Sequence, residues 1–195
     1  MYRRQVLMGL TSAAIVAPNF ALALNEGQAE DLINRLITDI NQVIASGKSE
    51  NAMIREFERI FARYSDTSYI SAYAMGVDGR RASSGQKRAF SDAFQSYIAR
   101  KYGRRFREFI GGRLEVRGVQ KVKNWFEVST IAYLQGQSPF EVTFHVSDRT
   151  GSDLFFNMYI EGVNLLLTER TEIGALLDRR RGDIDAMIGD LQSLS

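Results

Sequence analysis

Side chains able to carry acid–base or nucleophilic chemistry are few. Cysteine is absent and His145 is the single histidine. Thiolate nucleophiles, disulfides, thiolate metal sites and histidine-clustered zinc sites are therefore excluded from this chain. His145 shares strand parity with Glu141 and Thr143, in a run where Phe140, Val142, Phe144 and Val146 alternate with polar residues. A hydrogen-bonded or solvated histidine is the ordinary outcome there. Asp148, Asp153 and Glu161 could form an acid pair, but loops attract aspartate for turn chemistry in any case. No nucleophile elbow, phosphate loop or dinucleotide fingerprint is present. We expect no catalytic residues, no metal ligands and no cofactor.

Two basic clusters remain. Arg179-Arg180-Arg181 ends a helical stretch, where cations complement the helix dipole. The run Arg100, Lys101, Arg104, Arg105 and Arg107 lies along another helical stretch. Its plain reading is a solvated face. The functional one is a docking patch for an acidic partner or lipid phosphate, carried by Arg100, Lys101, Arg104 and Arg105.

Charge does not point to nucleic acid. The formal net charge of +2 is accounted for by Arg3 and Arg4. Both fall in residues 1–23, which read as an export signal: a basic start, an apolar run from Val6 to Val16, Pro18, and the small-residue site Ala21-Leu22-Ala23. The apolar run is about half the ~20 residues of a membrane-spanning helix, so cleavage is expected rather than a stable membrane span. The adjacent arginines fit either a twin-arginine or an ordinary signal. The remaining chain, residues 24–195, is formally neutral and gives no support for nucleic-acid binding.

The elements that position these side chains fall in two blocks. Asn25 and Gln28 form a capping box before Leu32, Ile33, Leu36, Ile37, Ile40, Val43 and Ile44 at helical spacing. A second helix starts near Ser49 with Met53, Ile54, Phe57, Ile60, Phe61 and Tyr64, and a third is capped by Asp66 and ends at Gly76. Val77 to Arg81 is turn-rich. Ser83 and Gln86 cap a fourth helix bearing Phe90, Phe94, Tyr97, Ile98 and Tyr102. After Gly111-Gly112 the period becomes two, with strands predicted over Leu114–Val119, Asn124–Leu134, Phe140–Val146 and Leu154–Ile160. The last is apolar on both parities, with Leu154, Phe156, Met158 and Ile160 on one side and Phe155 and Tyr159 on the other. Two short helices separated at Gly182 follow. Helices first, then an antiparallel meander, predict one α+β domain with helices segregated on a curved sheet.

The twelve Phe, eight Tyr and one Trp either fill this core or prop open an apolar cavity. By parity the sheet's inner face carries Phe126, Val128, Phe140, Val142, Phe144 and Val146, roofed by Phe90, Phe94 and Tyr97.

The order Glu161-Gly162-Val163-Asn164-Leu165-Leu166, Arg170-Thr171-Glu172-Ile173, Leu176-Leu177, Gly182-Asp183-Ile184-Asp185 and Leu191 resembles the C-terminal signature of the toluene-tolerance, or MlaC, family. Tyr73 to Gly76, then Ala82-Ser83, Gln86, Phe90, Phe94, Tyr97 and Tyr102, is the second stretch of resemblance. Here Met75 replaces the usual Leu, and Gly79-Arg80-Arg81 lacks the usual aromatic. Asp153 to Asn157 departs from the family's Trp-x-[Val/Ile]-x-Asp, and Asn164 stands where Ser is usual.

The resemblance implies a cone-shaped, NTF2-like α+β fold around an apolar pocket, in a non-enzymatic periplasmic carrier of phospholipid. It further implies partners: an outer-membrane lipoprotein complex and an inner-membrane ABC transporter with an MCE-domain subunit. A hopanoid or other polycyclic lipid is a variant cargo. Candidate lipid-binding positions are Phe57, Phe61, Ile70, Tyr73, Phe90, Phe94, Tyr97, Phe126, Val128, Phe144, Val146, Tyr159, Val163 and Leu165. Two other readings stay open. An enzyme of the same cone shape requires His145, Asn157 or Glu161 to converge in the pocket, and an adaptor module requires a filled core.

Overall fold

A computed structural model describes residues 23–103 and 112–194. The export signal lies outside them except for Ala23, as do Arg104, Arg105 and Arg107 of the basic run. Helix α1 spans Glu26–Ala45, α2 Glu50–Tyr64, α3 Thr67–Met75 and α4 Ser84–Gly103, with a 3-10 turn at Gly76–Arg80. Strands β1 (Arg113–Val122), β2 (Trp125–Tyr133), β3 (Phe140–Ser147), β4 (Leu154–Ile160) and β5 (Val163–Asn164) follow, then α5 (Leu165–Arg179) and α6 (Ile184–Ser193). The expected α+β architecture is what forms: helices packed on a curved, unclosed antiparallel sheet in the order β1-β2-β3-β4-β5.

Local chemistry sets the boundaries. Asn25 and Gln28 close their capping box through reciprocal bonds of 3.0 Å. Ser83 and Gln86 close the second, at 3.0 and 3.1 Å. Asp66 and Asp183 cap α3 and α6 by accepting from Tyr69 N and Ala186 N, both at 3.0 Å. β1 runs longer than expected, β2 is one residue shorter at each end, and the two meet at the two-residue turn Lys123-Asn124, because Val122 pairs directly with Trp125.

The fourth strand corrects the parity drawn from sequence. Val146 pairs with Phe155 and His145 with Asn157, so Phe156 is an extra residue in a β-bulge. Phe155 consequently turns inward, with ring centroids 5.8 Å from Phe144 and 5.9 Å from Phe61. Phe156 meets Tyr69, His145 and Trp125 at 5.5, 5.7 and 6.2 Å instead. Met158 and Ile160 pair with the inward residues Phe144 and Val142.

A two-residue hairpin at Glu161-Gly162 joins β4 to β5, with φ of 49° and 78°. Positive φ at both central residues makes the type I′ turn that matches strand twist. That geometry accounts for the Glu-Gly pair and sends the chain straight into α5.

Candidate functional site

α1 lies over β1 and β2, α4 packs on α2 and α6, and α5 packs on α3. Between these helices and the inner face of the sheet the core is incomplete. A cavity of about 580 Å³ remains, within the size range of small-molecule sites. Leu36 and Ile40 of α1, Phe57, Ile60 and Phe61 of α2, and Ile70 of α3 form one wall. The sheet contributes Leu114, Val142, Phe144, Phe155, Met158 and Ile160. Ile98, Ala99, Tyr102 and Gly103 of α4 face Leu165, Leu166 and Glu169 of α5, while Gln137, Ser138 and Glu161 lie at loop positions on its rim. A filled core, the expectation for an adaptor, is not what the chain builds.

Five of the residues named from sequence line this space: Phe57, Phe61, Ile70, Phe144 and Leu165. The other nine lie elsewhere. Phe90 and Phe94 are buried and stack on each other at 5.5 Å, with Tyr97 at 6.2 Å from Phe94. Phe126, Val128 and Val146 face inward, in the part of the sheet that is packed solid. Tyr73 lies under the Arg170 guanidinium at 5.0 Å, Tyr159 stands 4.9 Å from His145, and Val163 is 54% exposed. Strand parity identifies which residues face inward but not how far along the strand helices still cover them.

The polar residues of the enzyme reading do not converge. His145 is outside the lining, stacked on Trp125 at 6.0 Å with Nε2 3.3 Å from Glu127. Burial lowers its pKa from the usual histidine value, and the Glu127 carboxylate only partly offsets this. Asn157 does line the cavity, but its Oδ1 accepts from Met158 N at 2.8 Å and Leu166 N at 3.3 Å. It ties β4 to the first turn of α5, a task the family's usual aspartate oxygen could also perform. Asn164 caps α5 by accepting from Leu167 N at 3.1 Å and donates to the Tyr159 hydroxyl at 2.9 Å. An N-cap role suits Asn and Ser alike, which explains why Asn is accommodated there. Among the described residues no group of three or more His, Cys, Asp and Glu could hold a metal ion.

The gap between α4 and α5 is bridged by polar side chains. Lys101 Nζ lies 2.7 Å from Glu169 Oε1 and 2.6 Å from Glu172 Oε2. The Tyr102 and Tyr97 hydroxyls donate to Glu169 Oε1 and Glu172 Oε2 at 2.5 and 2.8 Å. Burial pulls the Lys101 pKa down, but the two carboxylates outweigh it and hold the amine well above its ordinary value. Burial and the neighbouring Glu169 push Tyr97 up to about 12 and raise Tyr102 as well. For Glu172, burial acts upward, yet the bonds from Lys101 and Tyr97 leave the carboxyl below its usual range. Glu169 escaped the sequence reading, although a signal existed. Leu166, Glu169 and Ile173 follow helical spacing, which sets an acid within the buried stripe of α5.

Arg100 and Lys101 of the expected docking patch spend their charge inside the fold. Lys101 belongs to the bridge just described. Arg100 donates to the Leu191 and Leu194 carbonyls at 2.8 and 2.9 Å, satisfying the end of α6.

The same fold occurs in a solved structure. The phospholipid-binding protein from Ralstonia solanacearum, determined in complex with a phospholipid, superposes with a TM-score of 0.74 over 85% of this chain and 96% of that one. Identity is 14%, so the likeness is one of fold. The family model described as MlaC protein matches residues 30–193, from the first helix through the last and thus across every element that walls the cavity. On that match, the chain belongs to the MlaC family.

Proposed function

We propose that this protein is a non-catalytic carrier that encloses the acyl chains of a phospholipid in the cavity between its helices and sheet. The observation that carries the reading is the cavity itself, walled by aliphatic and aromatic side chains from α1, α2, α4, α5 and the inner sheet face. The phospholipid-bound relative of the same fold supports it. Each buried methylene gains about 0.8 kcal/mol, so two chains of about fifteen carbons would cost more than ~20 kcal/mol to expose to water. A carrier must therefore enclose the tails and can leave most of the head wet. Spontaneous release would be too slow to be useful, so a partner must open the pocket.

In this reading the chain is exported, loses residues 1–23 and works in the periplasm. There it moves lipid between an outer-membrane lipoprotein complex and an inner-membrane ABC transporter carrying an MCE-domain subunit. No described helix is long and apolar enough to cross a membrane, which accords with a carrier that leaves the bilayer. The testing experiment is native mass spectrometry of the protein purified from its own periplasm, followed by solvent extraction. A co-purified phospholipid near one-to-one stoichiometry is expected. An unliganded mass, unchanged after incubation with phospholipid vesicles, overturns the proposal.

A further inference from the structure

The chain enters its first helix through a fixed point. Leu24, just before the Asn25 N-cap, is 8% exposed and belongs to the hydrophobic core. Leu24 and Ala29 stand at the N′ and N4 positions of α1 and both are buried, the pattern of a hydrophobic staple. The backbone N–H of Leu24 donates to Asp148 Oδ2 at 3.0 Å, across 124 positions of sequence. Asp148 opens the β3–β4 loop, and no lysine or arginine among the described residues pairs with it. The neighbouring cation is engaged elsewhere: Arg149 Nε donates to Ser147 Oγ at 3.1 Å, and its guanidinium lies over the Tyr69 and Phe156 rings at 4.4 and 4.1 Å. An aspartate without a cationic partner among the described residues thus holds the nitrogen of the Ala23–Leu24 peptide. That peptide is the bond whose cleavage is expected on export.

We propose that Asp148 is the receiving site for the mature N-terminus: removal of residues 1–23 turns the Leu24 nitrogen into an ammonium that pairs with this carboxylate. The inference rests on the export reading above and adds what the cut creates. Water hydrolyses the Ala23–Leu24 amide, Ala23 leaves as a carboxylate, and the proton goes to the Leu24 nitrogen. In the uncut chain the contact is one neutral N–H on a carboxylate. After the cut both partners carry charge, the stronger kind of hydrogen bond. Ala23 is exposed, so the remaining N–H groups of the ammonium face water. Burial of Leu24 and the hold on its nitrogen close off the scissile bond in the folded chain, so hydrolysis precedes docking. The positive end of α1 opposes an ammonium here, while Glu26 in its first turn favours one. The start of α1 is therefore tied to the β3–β4 loop most firmly once the signal is gone.

The test starts from protein purified from its own periplasm, whose first residue is read by N-terminal sequencing. A start at Leu24 is expected. Any other start removes the cut proposed above, and this inference with it. Competitive labelling with acetic anhydride across pH, read by mass spectrometry of the N-terminal peptide, then gives the pKa of the Leu24 amine. It should lie about half a unit higher in the wild-type protein than in Asp148→Asn, the size of effect an exposed ion pair supports. The difference should shrink in about 1 M sodium chloride. In a chain beginning at Ala23, whose ammonium stands about 3.8 Å further along, the same substitution should move the amine clearly less. A difference under about 0.2 unit at Leu24, or an equal one in both chains, overturns the inference and leaves the export reading standing. Asp148 is exposed, so the variant should fold; should it not, Asp148→Ser makes the same comparison.

Discussion

Lys101→Met tests the charged seam between α4 and α5. Methionine keeps an unbranched stem of similar length and removes the ammonium that holds Glu169 and Glu172. The Lys101 and Glu169 side chains are 27% and 4% exposed, so the pair is largely withdrawn from water on the glutamate side. Removing one partner of a buried pair costs about 3–5 kcal/mol, because the other charge is left uncompensated. Tyr102 still donates to Glu169, and the lysine end is partly wet, which places the expected loss near the low end, about 3 kcal/mol. Glu172 is 46% exposed and adds little.

The pH dependence follows from the direction of each shift. Lys101 is raised in the folded state, so its contribution is complete below the unfolded value of about 10.4 and is lost as pH climbs through the folded one. Glu172 is lowered, so its share is present above about 4.3 and is lost as pH falls through its folded value. The gap between wild type and variant should therefore be flat from about pH 5 to 10 and narrow at both ends. Urea denaturation followed by the fluorescence of the single tryptophan, Trp125, measures it at pH 7. A loss below about 1 kcal/mol there would refute the buried-pair account.

Three further outcomes follow from the same geometry. Ala99→Trp places an indole in the cavity from α4; excluding two or more lipid methylenes costs about 1.6 kcal/mol, so lipid affinity should fall more than about tenfold while the melting temperature holds or rises. Vesicle-loading assays and thermal melts check this, and unchanged affinity would mean that the lipid sits elsewhere. Glu161→Asn puts a residue suited to left-handed φ where φ is 49°, and should stabilise by about 0.5–1 kcal/mol, read as a higher melting temperature. His145, lowered by burial, disfavours the fold as pH drops below about 6.5 because the unfolded state takes the proton first. Its ring protons should titrate below that value by NMR, and His145→Gln should flatten the acid limb of a stability–pH curve.

Much of this protein is legible in its sequence because much of it is local. Capping boxes at Asn25 and Ser83 and the N-cap aspartates at 66 and 183 act over three residues, so helix starts are written in short words. Helical and alternating periods separate the N-terminal helices from the meander and give the α+β class directly. The inward set Val142, Phe144 and Val146 likewise follows from parity alone.

What the sequence could not give depends on distance through space. One extra residue at Phe156 inverts the parity of β4, and only the pairing with β3 reveals it. Phe90, Phe94, Phe126 and Val128 are as apolar as Phe57 and Phe144, yet they pack solidly while the latter two border a hollow. Which of these happens is set by how far the helices stand from the sheet, a quantity no side-chain type encodes. Lys101 and Glu169 are 68 positions apart and read as unrelated surface charges until α4 and α5 bring them within 2.7 Å. The sequence by itself determined the elements and their buried faces, since these follow from interactions a few residues long. Tertiary structure alone decided where the core stays open and which charges meet at its wall, since both depend on the spacing of elements far apart in the chain.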